Sequence, residues 1–380
     1  MAMTGHSCCD SKPEEYLLLL HFARISRIAE TQVPERHHDI DILEALRPLS
    51  ASIDPAITPL LPLIYHNTAR TGLRCRLPPE LTATLKNGTM RLVAQDLANR
   101  QWLLRNLEAF EKAHIPVILL KGAAFAGTLY PDNTPRLGID LDLLVTGDCF
   151  DDACAILGRT MNPVLLSDKR SATHDTLFER VFTPRDGGIP TVELHRDLTN
   201  PSIFHINQQR LWEASRRHPV YNSESVRLLS PEDTLLHLAV HAFRDLDFCN
   251  HNILDAHEVW CQWHPDPESL TDRATQWGAR KALFYLLATC QASMGTPVSD
   301  TLLNSLKPSR ICDGINRKIL QSPVPSTTDR NTLGYRLIQL MSQLTFPDRL
   351  LWGIRFQVSY ARLRVHDWII GLRNRPHASL

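Results

Sequence analysis

From Gly138 to Val145 the chain reads Gly-Ile-Asp-Leu-Asp-Leu-Leu-Val, two carboxylates alternating with large aliphatics. In an extended strand, successive side chains leave on opposite faces. Asp140 and Asp142 therefore share one face, and Ile139, Leu141 and Leu143 share the other. The aliphatic face can anchor the strand in a core. The carboxylate face holds two like charges close together, which is unfavourable unless a cation lies between them. The fold must bury one side of this strand and open the other onto a pocket that accepts positive charge.

The 380 residues are enough for two or three domains. Apolar residues make up 43% and charged residues 22%, the balance of an ordinary globular protein. Lys plus Arg equals Asp plus Glu at 41 each, so any nucleic-acid role needs a local patch rather than overall charge. The 9 cysteines are scattered without a C-x-x-C pair, which points to reduced thiols, a cytoplasmic location and no zinc knuckle. The first residues lack the apolar run of a secretory signal, and no apolar run approaches the roughly 20 residues of a membrane span.

Residues 1–14 read as a flexible tail and 15–114 as a helical region, with a long helix from Pro79 to His114. That helix carries Leu81, Leu85, Met90, Leu97, Trp102, Leu103, Leu107 and Phe110 at three- and four-residue steps. Residues 115–200 change texture. An apolar strand ending at Leu120 meets Lys121-Gly122, and a small-residue helix is expected over Ala123–Tyr130. The turn cluster 131–135 leads through Arg136 to the aspartate strand. A helix over Asp148–Leu157 and strands over Leu177–Phe182 and Thr191–His195 complete a mixed-sheet α+β core. Residues 201–380 read as helical, with Ser230-Pro-Glu-Asp233 as an N-cap. Arg349 to Arg375 interleaves arginines with Trp352, Phe356, Tyr360 and Trp368. Its expected role is a terminal helix with its arginines in water, and the alternative is a nucleic-acid, anionic-lipid or protein contact.

A paired-carboxylate strand suits one or two Mg²⁺ ions serving a nucleotide triphosphate. Glu193, in Thr191-Val-Glu-Leu-His195, is the natural third acid, and His195 lies on its face. Lys121-Gly122 offers a point charge and a backbone that a phosphate can approach closely. Arg136 offers a forked phosphate contact. The strings Val117–Ala124, Arg136–Val145 and Val192–His195 together resemble the uncharacterised nucleotidyltransferase family of the DNA polymerase β-like superfamily. The His-bearing segment Leu235–His241, with Ile253-Leu-Asp-Ala256 beyond, fits as well. The resemblance implies a small mixed-sheet nucleotidyltransferase core, residues 115–200, between mostly helical N- and C-terminal regions. It implies Asp140, Asp142 and Glu193 as catalytic metal ligands for Mg²⁺, with Mn²⁺ the alternative. Lys121, Gly122, Arg136, His195 and His241 would then contact an NTP whose NMP moves to an acceptor hydroxyl on a small molecule, peptide or RNA. Lys121-Gly122 stands where the wider superfamily has Gly-Gly or Gly-Ser, so the phosphate grip differs.

Blander roles compete. Glu193 can pair with Arg180 or Arg196, and Lys121 can snorkel at a strand end. His237 and His241, four apart on one helix, read as a satisfied, partly buried pair; a zinc hydrolase built on them with Asp255 lacks the usual helix glutamate. A non-catalytic nucleotide- or peptide-binding accessory protein and a toxin-like RNA-modifying transferase remain the alternative functions.

Overall fold

The computed structural model describes residues 18–19, 22–24, 39–50, 57–131, 140–164, 178–185, 190–201, 203–245, 251–321, 333–351, 353–354 and 357–358. Helices α1 (Asp39–Leu46), α2 (Leu61–Arg70) and α3 (Pro79–Lys112) come first. Proline in the first turn of α2 and α3 falls where the missing N–H removes no helix bond. At 34 residues α3 runs about 50 Å. It packs on α2, and it also packs on α5 (Phe150–Leu157) of the core. Leu81, Leu85, Trp102, Leu103, Leu107 and Phe110 are buried, but Met90 and Leu97 are exposed. The apolar steps along the sequence do not separate these two from the buried set; Met90 and Leu97 face solvent. Phe110 is fully buried. Phe110→Ala is expected to lower unfolding free energy by about 3–5 kcal/mol in a denaturant titration.

The sheet begins with β1 (Val117–Leu119), followed by α4 (Lys121–Phe125) and β2 (Asp140–Val145). After α5 come β3 (Met161–Pro163), β4 (Glu179–Pro184) and β5 (Thr191–His195). Helix α6 (Gln208–Ala214) precedes β6 (Arg216–Arg217) and β7 (Val226–Leu228). The seven strands lie in the order β3-β4-β5-β2-β1-β7-β6. β2 is antiparallel to β1 and parallel to β5, and β1 is parallel to β7. The sheet is therefore mixed, as an α+β core requires. Leu143, Val145, Val192 and Leu194 are fully buried and hold β2 and β5 in register.

Three strands escape the sequence reading, which gave only helices after residue 200. β3 buries one residue of three and β6 none of two, too little for a period-2 signal. Helix α4 is also shorter than the expected Ala123–Tyr130 span and starts earlier, ending at Phe125. The turn residues 132–135, Arg136, and most of the basic C-terminal stretch lie outside the described residues.

Among the described residues the following helices come after the sheet: α7 (Pro231–Asp245), α8 (Asn252–Trp263), α9 (Pro267–Trp277), α10 (Arg280–Met294), α11 (Asp300–Leu306), α12 (Arg310–Gln321) and α13 (Leu333–Thr345). Ser230 caps α7, its Oγ accepting from the Asp233 N–H at 3.1 Å. Arg273 of α9 pairs with buried Asp233 and fixes that end of the helix. Helices α8, α9 and α10 all pack on α7. Among the described residues, no helix is long and apolar enough to cross a membrane.

Candidate active site

The site forms where β2 and β5 run side by side. Their parallel register sets Asp142 opposite Glu193 and Leu144 opposite His195. Residues paired across a sheet project to the same face, so both acids and the histidine emerge together. One ligand atom from each of Asp142, Glu193 and His195 lies within 4.8 Å of the other two. His195 Nε2 stands 3.4 Å from Asp142 Oδ1 and 3.7 Å from Glu193 Oε2. Neither Arg180 nor Arg196 competes for Glu193 in the way the blander reading had it. Both guanidinium groups sit over the Phe150 ring, 5.6 and 6.0 Å from its centroid.

Lys121 closes the other side. Its φ of 47° is left-handed, uncommon for a residue with a Cβ. This turn takes the chain from β1 into α4, and the ammonium rests 2.8 Å from Asp142 Oδ1. The Asp142 carboxyl is held well below the usual range. Burial opposes that, but the charge of Lys121 and contact with His195 outweigh it. Asp140, half-buried at the strand's start, behaves oppositely. Burial, then the neighbouring Asp142 and Glu193 carboxylates, push it up to about 6. Two acids two residues apart thus differ because Lys121 and His195 contact only the second.

His195 is 1% exposed. Burial opposes its charging, yet the contact with Asp142 and the nearby Glu193 and Glu179 carboxylates raise its pKa to about 9. A histidine whose folded pKa exceeds its ordinary 6.5 contributes stability that is complete below pH 6.5 and lost as pH rises through 9. In divalent-free protein, the denaturation midpoint is expected to fall across that window, and His195→Gln to flatten the fall. An equal fall in both proteins would contradict the geometry.

Helix α7 covers the face. Its apolar residues Leu235, Leu236, Leu238, Ala239 and Val240 are buried, while His237, His241 and Arg244 form a polar stripe at i, i+4 and i+7. Arg244 reaches His241 Nε2 at 2.8 Å and Glu179 Oε2 at 3.5 Å. The expected satisfied histidine pair is only half right. His237 is 3% exposed, and neither ring nitrogen has a hydrogen-bond partner among the described residues. Burial, then the Lys121 charge, keeps its pKa well below the ordinary value. Asp255 does not join these histidines; its Oδ1 accepts from the Tyr130 hydroxyl at 2.7 Å, which removes the zinc-hydrolase arrangement. Glu179 and Arg244 were missed from the sequence. The polar stripe in an otherwise apolar helix could have revealed Arg244. Glu179 has no signal beyond its register opposite His195.

A shallow, open cleft adjoins Asp140 at the start of β2. Gly122, Ala123 and Asp140 line one wall and Asn99 and Arg100 of α3 the other. Lys121, Gly122, Asp140, Asp142, Glu193 and His195 therefore come together, and His241 borders them. Arg136 lies outside the described residues. The donor set fits a divalent cation. Two carboxylates converge from adjacent strands, and buried Glu193 Oε2 lacks a hydrogen-bond partner among the described residues.

Among known proteins, a family model described as an uncharacterised nucleotidyltransferase matches residues 58–295. Those residues contain helices α2 to α10 and the entire sheet. No curated protein and no solved structure matches the chain.

Proposed function

Because this chain belongs to the uncharacterised nucleotidyltransferase family, we propose that it transfers an NMP from an NTP to an acceptor hydroxyl, releasing pyrophosphate, in a Mg²⁺-dependent reaction with Mn²⁺ the alternative. The observation that carries the reading is the register of Asp142 against Glu193, which converges two acids on one face beside Lys121. Asp140, Asp142 and Glu193 would hold the ion. When bound, a divalent ion neutralises charge on the transferring phosphorus and lowers the barrier to attack.

The remaining roles fall to the chain itself. Lys121 is the cation beside the carboxylates and turns to the triphosphate oxygens when the acids are otherwise neutralised. Gly122 lines the cleft and lets the phosphate chain approach the backbone closely. Glu193 is also placed to take the proton of the acceptor hydroxyl. His195 and His241, beside the carboxylates, would orient the nucleotide. Burial under α7 excludes water from His195 and Asp142, which strengthens every charge interaction there.

The test is a panel of labelled NTPs incubated with Mg²⁺ and cell extract, comparing wild type with the double substitution Asp140→Ala/Asp142→Ala. Label entering a macromolecule or small product with wild type only supports the proposal and identifies donor and acceptor class. NTP binding without any transfer favours the accessory-protein alternative.

A further inference from the structure

We propose that His195, oriented by Glu179, is itself a ligand of the divalent ion, so that the centre prefers a first-row transition-metal dication to Mg²⁺. This deepens the function proposed above and rests on it for the presence of an ion.

The imidazole has its two nitrogens in different surroundings. Nε2 points between Asp142 Oδ1 and Glu193 Oε2, at 3.4 and 3.7 Å. Nδ1 points away and has no hydrogen-bond partner among the described residues; Glu179 Oε2 stands 3.5 Å from it. Glu179 sits opposite His195 across the β4–β5 ladder, and its Oε2 also lies 3.5 Å from Arg244. On this proposal Glu179 closes onto the Nδ1–H, which fixes the tautomer and leaves the Nε2 lone pair for a metal. Here that lone pair meets the two carboxylates already suited to an ion. Donors bonded to one metal at about 2.0–2.2 Å lie at most about twice that distance apart. The three ligand atoms, all within 4.8 Å of one another, need only a small contraction.

His237 adds a second observation. It is 3% exposed, lacks a partner for either nitrogen among the described residues, and lies within the fields of Asp142 and His195. Two buried imidazoles beside the carboxylates are unlike the all-oxygen shell that Mg²⁺ favours. A site with nitrogen donors binds first-row dications more tightly along the series from Mn²⁺ through Co²⁺. The competing role for His195 is a permanent protonated counter-charge to the acids, in which Nε2 never meets a metal.

The experiment uses the full chain, stripped of metal by chelation and titrated with Mn²⁺. Loss of the free-ion resonance reports Mn²⁺ binding, and Mg²⁺ affinity follows by competition. Pulsed electron resonance of the bound Mn²⁺ is expected to show coupling to ¹⁴N. His195→Gln is expected to remove the principal coupling and weaken Mn²⁺ about 10–100-fold while leaving Mg²⁺ affinity nearly unchanged. Glu179→Gln, which leaves the ligand in place, is expected to weaken Mn²⁺ about tenfold and reduce the coupling. Bound Mn²⁺ without nitrogen coupling in wild type overturns the inference, whether or not the variants fold, and leaves the proposed reaction standing. Absence of any divalent-ion binding overturns both.

Discussion

Asp142→Asn is expected to lower nucleotidyl transfer by about 10³-fold or more, the scale on which a preorganised charge-stabilising group acts. The substitution keeps the shape and removes the charge. Asp142 is 4% exposed, contacts Lys121 and His195, and stands opposite Glu193. Among the described residues no other makes all three of these approaches. Stability should fall as well, because Lys121 loses its counter-charge. Breaking a fully buried pair costs about 3–5 kcal/mol. The loss here is smaller, since the Lys121 side chain keeps 15% exposure and an amide oxygen can still accept from it. Steady-state transfer rates alongside denaturant midpoints separate the two effects. A variant that is merely less stable, with normal turnover below its melting point, would remove Asp142 from the reaction.

Lys121→Met has the second largest expected effect, with a distinguishing signature. Without the ammonium, buried Asp142 has only His195 to oppose Asp140 and Glu193. The ion-free variant is expected to lose up to about 3–5 kcal/mol of stability. Saturating Mn²⁺ or Mg²⁺ is expected to restore much of that loss, because an ion that binds only the folded state stabilises it by mass action. Wild type should gain less from the same ion, since its lysine already occupies Asp142. Transfer activity should not recover, because the cation assigned to the triphosphate is gone. Equal ion-induced shifts in wild type and variant would mean that Lys121 and the ion do not share Asp142.

The central strand was legible in the sequence because a period-2 alternation of Asp and Leu is a physical signature. Thr191–His195 was found for the same reason, and the structure adds the register that sets Glu193 against Asp142. The long helix was legible from its apolar steps, apart from Met90 and Leu97, whose exposure depends on where α3 finds neighbours. Lys121 could be placed beside a strand end. Its left-handed φ and its contact with Asp142 are tertiary and leave no local mark. Glu179 was invisible because its role depends only on lying across from His195. His237 was misread because a histidine on an apolar helix usually finds a partner, and its burial beneath the site denies it one.

Calorimetric titration of metal-free protein with NTP, in the presence and absence of Mg²⁺ or Mn²⁺, tests the convergence of acids on one ion most directly. Wild type is expected to bind NTP tightly only with the divalent ion, and Asp140→Asn/Asp142→Asn to lose that dependence together with the affinity. Binding that is indifferent to the ion, or unchanged in the double variant, would contradict the account.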